Sequence, residues 1–295
     1  MIRHRSYQIA LACAALLFSS PALAQPQIGD RWSRVAVTHE TIQQGDAVFR
    51  TVFESTVRVN DATGVFLGIY AGVPILMTAH HVMPDQENCT GREVIFYSPG
   101  KIKSALLETH FTCSRLLGAW ADVDVSLFTL DETQSSNPTL QGRGLKPGFD
   151  AKISQFTMLY TMGHGSEQNP ASALTADSGS DCYVANATDD FRFRENTTWS
   201  MAVGCNESAG DSGSPVVDRA TGLLLGVVWG GHTEKDPALA NSAYLKQLVQ
   251  SNSPDIWVQL NYASPMPVVG AMFRYILKTQ QLDPQTVAVL NALLT

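Results

Sequence analysis

The chain is poor in charge: Lys, Arg, Asp and Glu make up only 16% of its 295 residues, against roughly 25% in an ordinary globular domain. What charge there is leans acidic, net −7. No basic stripe is available to neutralise phosphates, which excludes nucleic-acid binding. No apolar run reaches the roughly 20 residues of a bilayer span, and no fixed-period repeat is present, which excludes solenoids and propellers. Gly (22) and Pro (14) are too few for a collagen-like or low-complexity chain. Cysteine is scarce, five in all, and no two lie at the short spacing of a zinc site. Against these absences stands a hydrophobic content of 44%, enough to exclude disorder. The length is about twice the usual 150-residue domain.

The N-terminus reads as a secretory leader over residues 1–24. Arg3 and Arg5 form a basic start, Ile9 to Phe18 an apolar stretch, and Ala22-Leu23-Ala24 a small-x-small cleavage site. The expectation is a secreted or periplasmic protein cut after Ala24. Removal of the leader takes Cys13 with it and leaves Cys89, Cys113, Cys182 and Cys205. An even count in an exported chain predicts disulfides, with three connectivities allowed. Pairing in sequence order, Cys89–Cys113 and Cys182–Cys205, is preferred because each loop then stays within one half of the chain.

After an N-terminal segment, 25–50, short runs rich in Val, Ile, Phe and Thr alternate with turns. Thr51 to Asn60, Gly64 to Tyr70, Val73 to Thr78, Val94 to Tyr97 and Val123 to Leu130 predict strands of one β unit over 51–130. Residues 131–150 are rich in Gln, Ser, Asn, Pro and Gly and read as a linker. Strand patterns resume over 151–262: Ala151 to Tyr160, Thr198 to Val203, Pro215 to Val217, Leu223 to Trp229, and the alternation Ile256, Val258, Leu260, Tyr262. Three helices are expected late in the chain. One covers Tyr244 to Val249, and a second repeats Val269, Phe273, Ile276 and Leu277. The last starts at Asp283 as N-cap with Pro284 at the first helical position. The fold class expected is all-β, in two halves, with helices over 263–295.

Three strings carry chemistry. Gly210-Asp211-Ser212-Gly213-Ser214-Pro215 places a serine between glycines, where the backbone can turn tightly and bring N–H groups against a carbonyl. A hydroxyl needs a base to become a nucleophile, and the resulting alkoxide needs donors aimed at it. The amides of Gly210 and Ser212 are the natural donors. Thr78-Ala79-His80-His81-Val82 ends an apolar strand with histidines, and Asp122-Val123-Asp124-Val125 carries an acid into another strand. A carboxylate there is costly to bury unless paired, and a histidine N–H is a suitable partner. Asp177-Ser178-Gly179 imitates the serine string, but it lacks the preceding glycine and the following proline and strand.

Taken together, the three strings resemble the trypsin-like (chymotrypsin-fold) serine peptidases, in the chain order His, Asp, Ser. The resemblance implies two six-stranded antiparallel β-barrels with the active site between them. It implies His81 as base, Asp124 as its orienting carboxylate, Ser212 as nucleophile, and Gly210 and Ser212 as the oxyanion hole, with no cofactor or metal. A protein or peptide substrate and a monomeric enzyme are expected. The implied function is an exported serine endopeptidase; an esterase on the same triad, or a non-catalytic adhesion or recognition protein on the same fold, are the alternatives.

Val228-Trp229-Gly230-Gly231 is similar to the family's substrate-pairing strand, and Asn206 and Glu207 occupy the pocket positions ahead of the nucleophile. Glu207 facing the pocket would give a preference for Lys or Arg by charge pairing, and Glu207 facing water a neutral, polar pocket; the second is the favoured expectation. The Trp-Gly-Gly ending resembles the bacterial glutamyl endopeptidase branch, although that branch has histidine where this chain has Val228. Val82 replaces the cysteine that follows the family's catalytic histidine. In trypsin-type zymogens a newly cut N-terminal amine pairs with the aspartate matching Asp211. No Arg-(Ile/Val)-Val-Gly-Gly activation site is present here, and the Arg34–Val35 bond is a weak candidate for that cut. Either Asp211 finds another partner or the chain folds active without cleavage, and the second is expected.

Overall fold

The computed structural model describes residues 27–30, 32–100, 105–165, 173–188, 190–193, 198–231 and 236–295. The leader expected over 1–24 lies outside them. The chain enters through a short strand β1 (Arg34–Ala36) and two helices, α1 (His39–Gln44) and α2 (Ala47–Ser55). The first half then forms β2 (Thr56–Val59), β3 (Ala62–Tyr70), β4 (Val73–Thr78), the single turn α3 (Gln86–Cys89), β5 (Glu93–Pro99), β6 (Leu106–Trp120) and β7 (Val125–Leu130). These six strands close into an antiparallel barrel in the order β2-β3-β4-β7-β6-β5, with β5 returning to β2. Its interior holds Phe66, Phe96 and Phe111 edge to face, with ring centroids 5.4 and 5.2 Å apart.

The second half comprises β8 (Leu159–Gly163), β9 (Thr175–Asp177), β10 (Arg192–Phe193), β11 (Trp199–Val203), β12 (Pro215–Asp218), β13 (Leu224–Gly231), the helices α4 (Ser242–Gln250) and α5 (Ile256–Gln259), and β14 (Asn261–Pro265). Its strands form one sheet in the order β1-β9-β8-β12-β13-β14-β11-β10. A second closed six-stranded barrel was the expectation, and this sheet is open. Between β9 and β10 the described residues turn instead of running as a ladder strand, and isolated bridges, Met158 to Tyr183 and Val184 to Val203, together with the Cys182–Cys205 disulfide tie them back. The chain ends in α6 (Met266–Thr279) and α7 (Pro284–Leu293). These pack Phe273, Ile276, Val289 and Leu290 into a core shared with Phe49 and Phe53 of α2 and Val65 of β3. Among the described residues no helix is long and apolar enough to cross a membrane.

Three further expectations differ from the structure. Residues 51–55, read as strand, finish α2. Asp46 caps that helix by accepting the Phe49 N–H at 2.7 Å, and Phe49, Val52 and Phe53 bury at helical spacing, which outweighs the β preference of the branched residues. The alternation from Ile256 to Tyr262 is a helical turn followed by a strand. Ile256, Trp257 and Leu260 are buried on one face while Val258 is 51% exposed. Of Ala151 to Tyr160 only the end is strand, because a turn closes from Thr157 N–H to Ser154 C=O and Phe156 adopts a left-handed backbone (φ 63°).

Both halves are stapled: disulfides join Cys89 to Cys113 and Cys182 to Cys205. Val82, standing where the resembled family has cysteine, packs into the cluster that contains Cys89. The connecting stretch after β7 bonds to both sides, from Leu145 N–H to Phe66 C=O and from Gly148 N–H to Leu224 C=O.

Candidate active site

The cleft between the halves receives side chains from three separate loops. His81 sits one short turn beyond β4, where Val82 N–H returns to Ala79 C=O. Asp124 ends a 3₁₀ turn (Ala121–Val123) and adopts left-handed backbone angles, φ 42° and ψ 51°, a conformation aspartate tolerates better than most residues. That bend turns the carboxylate under the imidazole before β7 begins. Ser212 lies on the tight loop leading into β12, flanked by Gly210 at φ 96° and Gly213 at φ 91°. A Cβ on Gly213 would meet the Thr63 carbonyl at 1.9 Å, and one on Gly210 the His164 carbonyl at 2.4 Å. Both positions therefore require glycine twice over, for space and for backbone angle.

The three side chains form one hydrogen-bonded chain. Asp124 Oδ2 is 2.8 Å from His81 Nδ1, and His81 Nε2 is 2.8 Å from Ser212 Oγ. Asp124 Oδ1 also accepts the His81 backbone N–H at 2.9 Å, so the carboxylate grips ring and main chain of the same residue. Asp124 is 6% exposed, while the His81 side chain is half open to solvent. With the Nδ1 proton held by Asp124, Nε2 is the nitrogen free to accept the serine proton. Asp122, the other acid of that string, is exposed. So is Ser178, whose neighbour Asp177 is committed to Ser33 and to the Asn206 amide. Among the described residues neither the Gly210 nor the Ser212 amide has a hydrogen-bond acceptor.

The sequence profile of the trypsin-like peptidase domain matches residues 62–227, which span all three side chains. The chain belongs to this family. No curated protein matches it. Among solved structures it is similar to an inactive form of Rv3671c from M. tuberculosis H37Rv, at 15% identity over 82% of this chain and 96% of that one, with a TM-score of 0.47. A second inactive-form structure of the Rv3671c protease gives 16% identity over 78% and 92%, with a TM-score of 0.45.

Within this trypsin-like peptidase domain, Thr63 of β3 holds the serine loop from the opposite half. Its N–H donates to Ser212 C=O at 2.9 Å and its hydroxyl to Gly210 C=O at 2.9 Å, while the hydroxyl accepts the His164 N–H at 2.9 Å. Thr78 in turn donates to the Thr63 carbonyl at 2.7 Å. Thr78 is visible in sequence only as the start of the histidine string and Thr63 not at all, because a threonine in a strand carries no local signal. Ser214, where the family's string has a second glycine, is accommodated by Gly163 on the neighbouring strand. A Cβ at Gly163 would lie 2.0 Å from Ser214 Oγ.

The remaining expected site residues divide. Val228 is buried, and its backbone is already bonded, accepting Gly213 N–H at 2.8 Å and donating to Ser214 C=O at 2.9 Å. Trp229, Gly230 and Gly231 extend β13 past the start of β12, with β14 the neighbour on one side and none on the other among the described residues, and Trp229 stacks on Tyr262 at 5.6 Å. Glu207 is buried, 6% exposed, which corrects the expectation that it faces water. Asn206 is fully buried with its amide spent on Ile28 and Ser33, so its side chain serves the N-terminal segment. Asp211, also fully buried, has a partner: Arg34, at 2.7 Å. Burial pushes the Asp211 carboxyl up, and the Arg34 guanidinium and the amides of Ser208 and Gly165 oppose that push.

Proposed function

We propose that this trypsin-like peptidase is an exported serine endopeptidase that works through Ser212, His81 and Asp124. Ser212 Oγ attacks the peptide carbonyl while His81 Nε2 takes its proton. The C–N bond then breaks, and His81 returns the proton to the leaving amine. Water repeats the sequence on the acyl-enzyme, with His81 again the base. Asp124 fixes the Nδ1–H tautomer and stabilises the imidazolium, and the amides of Gly210 and Ser212 receive the oxyanion. The open edge of β13 at Gly230 and Gly231 takes the substrate backbone as an added strand.

The observation that carries this reading is the unbroken chain of two 2.8 Å contacts from carboxylate to imidazole to hydroxyl. Export is supported by the leader pattern at residues 1–24 and by two disulfides, which persist in oxidising compartments. The test is turnover of a peptide library by folded protein. Hydrolysis is expected in the wild type, with kcat lowered by about 10⁴-fold in Asp124→Asn and turnover lost in Ser212→Ala. Equal turnover by Ser212→Ala and wild type would overturn the assignment.

A further inference from the structure

The N-terminal segment, outside the region matched by the peptidase family, is hydrogen-bonded to the serine loop at Asn206 and Asp211. Ile28 is fully buried, and its N–H donates to Asn206 Oδ1 at 2.8 Å. Ser33 accepts from Asn206 Nδ2 at 2.7 Å and donates to Asp177 at 2.7 Å. Arg34, the inward residue of β1, completes the attachment. Its Nη2 donates to Asp211 Oδ1 at 2.7 Å and to Thr175 C=O at 3.1 Å. Nη1 donates to Asn206 C=O at 3.0 Å, and Nε to Thr175 Oγ1 at 2.9 Å. The guanidinium is 2% exposed and the carboxylate 1%.

Asp211 stands between Gly210, whose amide has no acceptor among the described residues, and Ser212. A planar guanidinium that holds one carboxylate and two backbone carbonyls fixes orientation as well as charge. We propose that the N-terminal segment, through Ile28, Ser33 and Arg34, is a built-in clamp on the serine loop, with Arg34 the positioning residue that sets the Gly210 amide and Ser212 for reaction. This rests on the peptidase reading above. It gives the Arg34–Val35 bond the opposite meaning to a zymogen cut: cleavage there releases the clamp and lowers activity, and the active chain keeps Ile28 and Arg34 in place.

The test uses the full chain with Arg34→Met, Arg34→Lys and, as a control on the exposed neighbour, Val35→Ala. Thermal melting, hydrogen exchange of the 207–211 loop, and kcat and KM on a peptide substrate are measured together. Arg34→Met is expected to melt cooperatively, exchange that loop about tenfold faster, and lose about 10²-fold in kcat, the scale of a misplaced oxyanion donor. KM should stay within about threefold. Arg34→Lys restores the charge without the fork and should lose about tenfold in kcat, which carries the test if the methionine variant does not fold. Val35→Ala should match the wild type. A merely structural role would lower the melting temperature and leave loop exchange and kcat of the folded protein unchanged; either Arg34 variant behaving so overturns the proposal. If the wild type itself hydrolyses nothing, the peptidase reading fails, and loop exchange alone decides the clamp. Intact-mass analysis of active material should find a chain beginning before Ile28, and active protein that begins at Val35 would contradict it.

Discussion

At the scale of single residues, the reaction site depends on groups that never touch substrate. Thr63 is the clearest, because one hydroxyl serves Gly210 and His164 across the cleft. Thr63→Val keeps the shape and removes that hydroxyl, leaving the Gly210 carbonyl and the His164 amide without it. The expected cost is about 1–3 kcal/mol in urea unfolding, with Thr63→Ser within about 1 kcal/mol of wild type. His81, Asp124 and Ser212 were legible because their three strings together resemble the trypsin-like peptidases; local chemistry alone separates neither His81 from His80 nor Asp124 from Asp122. Thr63 and Arg34 were not. A strand threonine and an N-terminal arginine are ordinary residues until the fold brings them against Gly210 and Asp211. Ser214 was visible as a departure, but its accommodation by Gly163 needs the pairing of β12 with β8.

At the scale of elements, legibility followed the balance between local signals. The start of α7 was readable because Asp283 and Pro284 act within one turn, and Asp283 accepts the Gln285 and Thr286 N–H groups at 3.1 Å each. The 51–55 region was misread because Thr51 and Val52 favour strands while the Asp46 cap and the 49/52/53 spacing favour a helix. The 15-residue strand β6 was not legible because only Phe111, Cys113 and Leu117 along it are buried, too few to show an apolar alternation. Asp283 also provides a pH prediction. The Thr286 hydroxyl, then its amide, and the Arg115 guanidinium hold this carboxyl well below the usual range. A carboxyl depressed in the folded state contributes stability above its unfolded value, near about 3.9, and loses it as the pH falls. Asp283→Ala should therefore cost about 1 kcal/mol at pH 7. The gap to wild type should close in acid titration below about pH 4, and a gap that widens with acid would contradict the cap.

At the scale of the whole molecule, one closed barrel and one open sheet are held together by the C-terminal helices, the stretch after β7 and the threonine contacts of the cleft. Each half has its own staple. The Cys89–Cys113 bridge closes 24 residues, and replacing both cysteines by alanine should cost about 3 kcal/mol by denaturant unfolding, with unchanged stability the contrary result. The site exists only when both halves are docked, since His81 and Asp124 come from the barrel and Ser212 from the sheet. Partial unfolding of either half should abolish reactivity at Ser212 in one step. The most direct measurement of the central claim is therefore covalent labelling of the folded protein with a fluorophosphonate, mapped by peptide mass spectrometry. The account predicts a single adduct per chain, on Ser212, lost in His81→Ala and in urea. No adduct on folded protein, or an adduct at Ser178 or any other hydroxyl in its place, would contradict it.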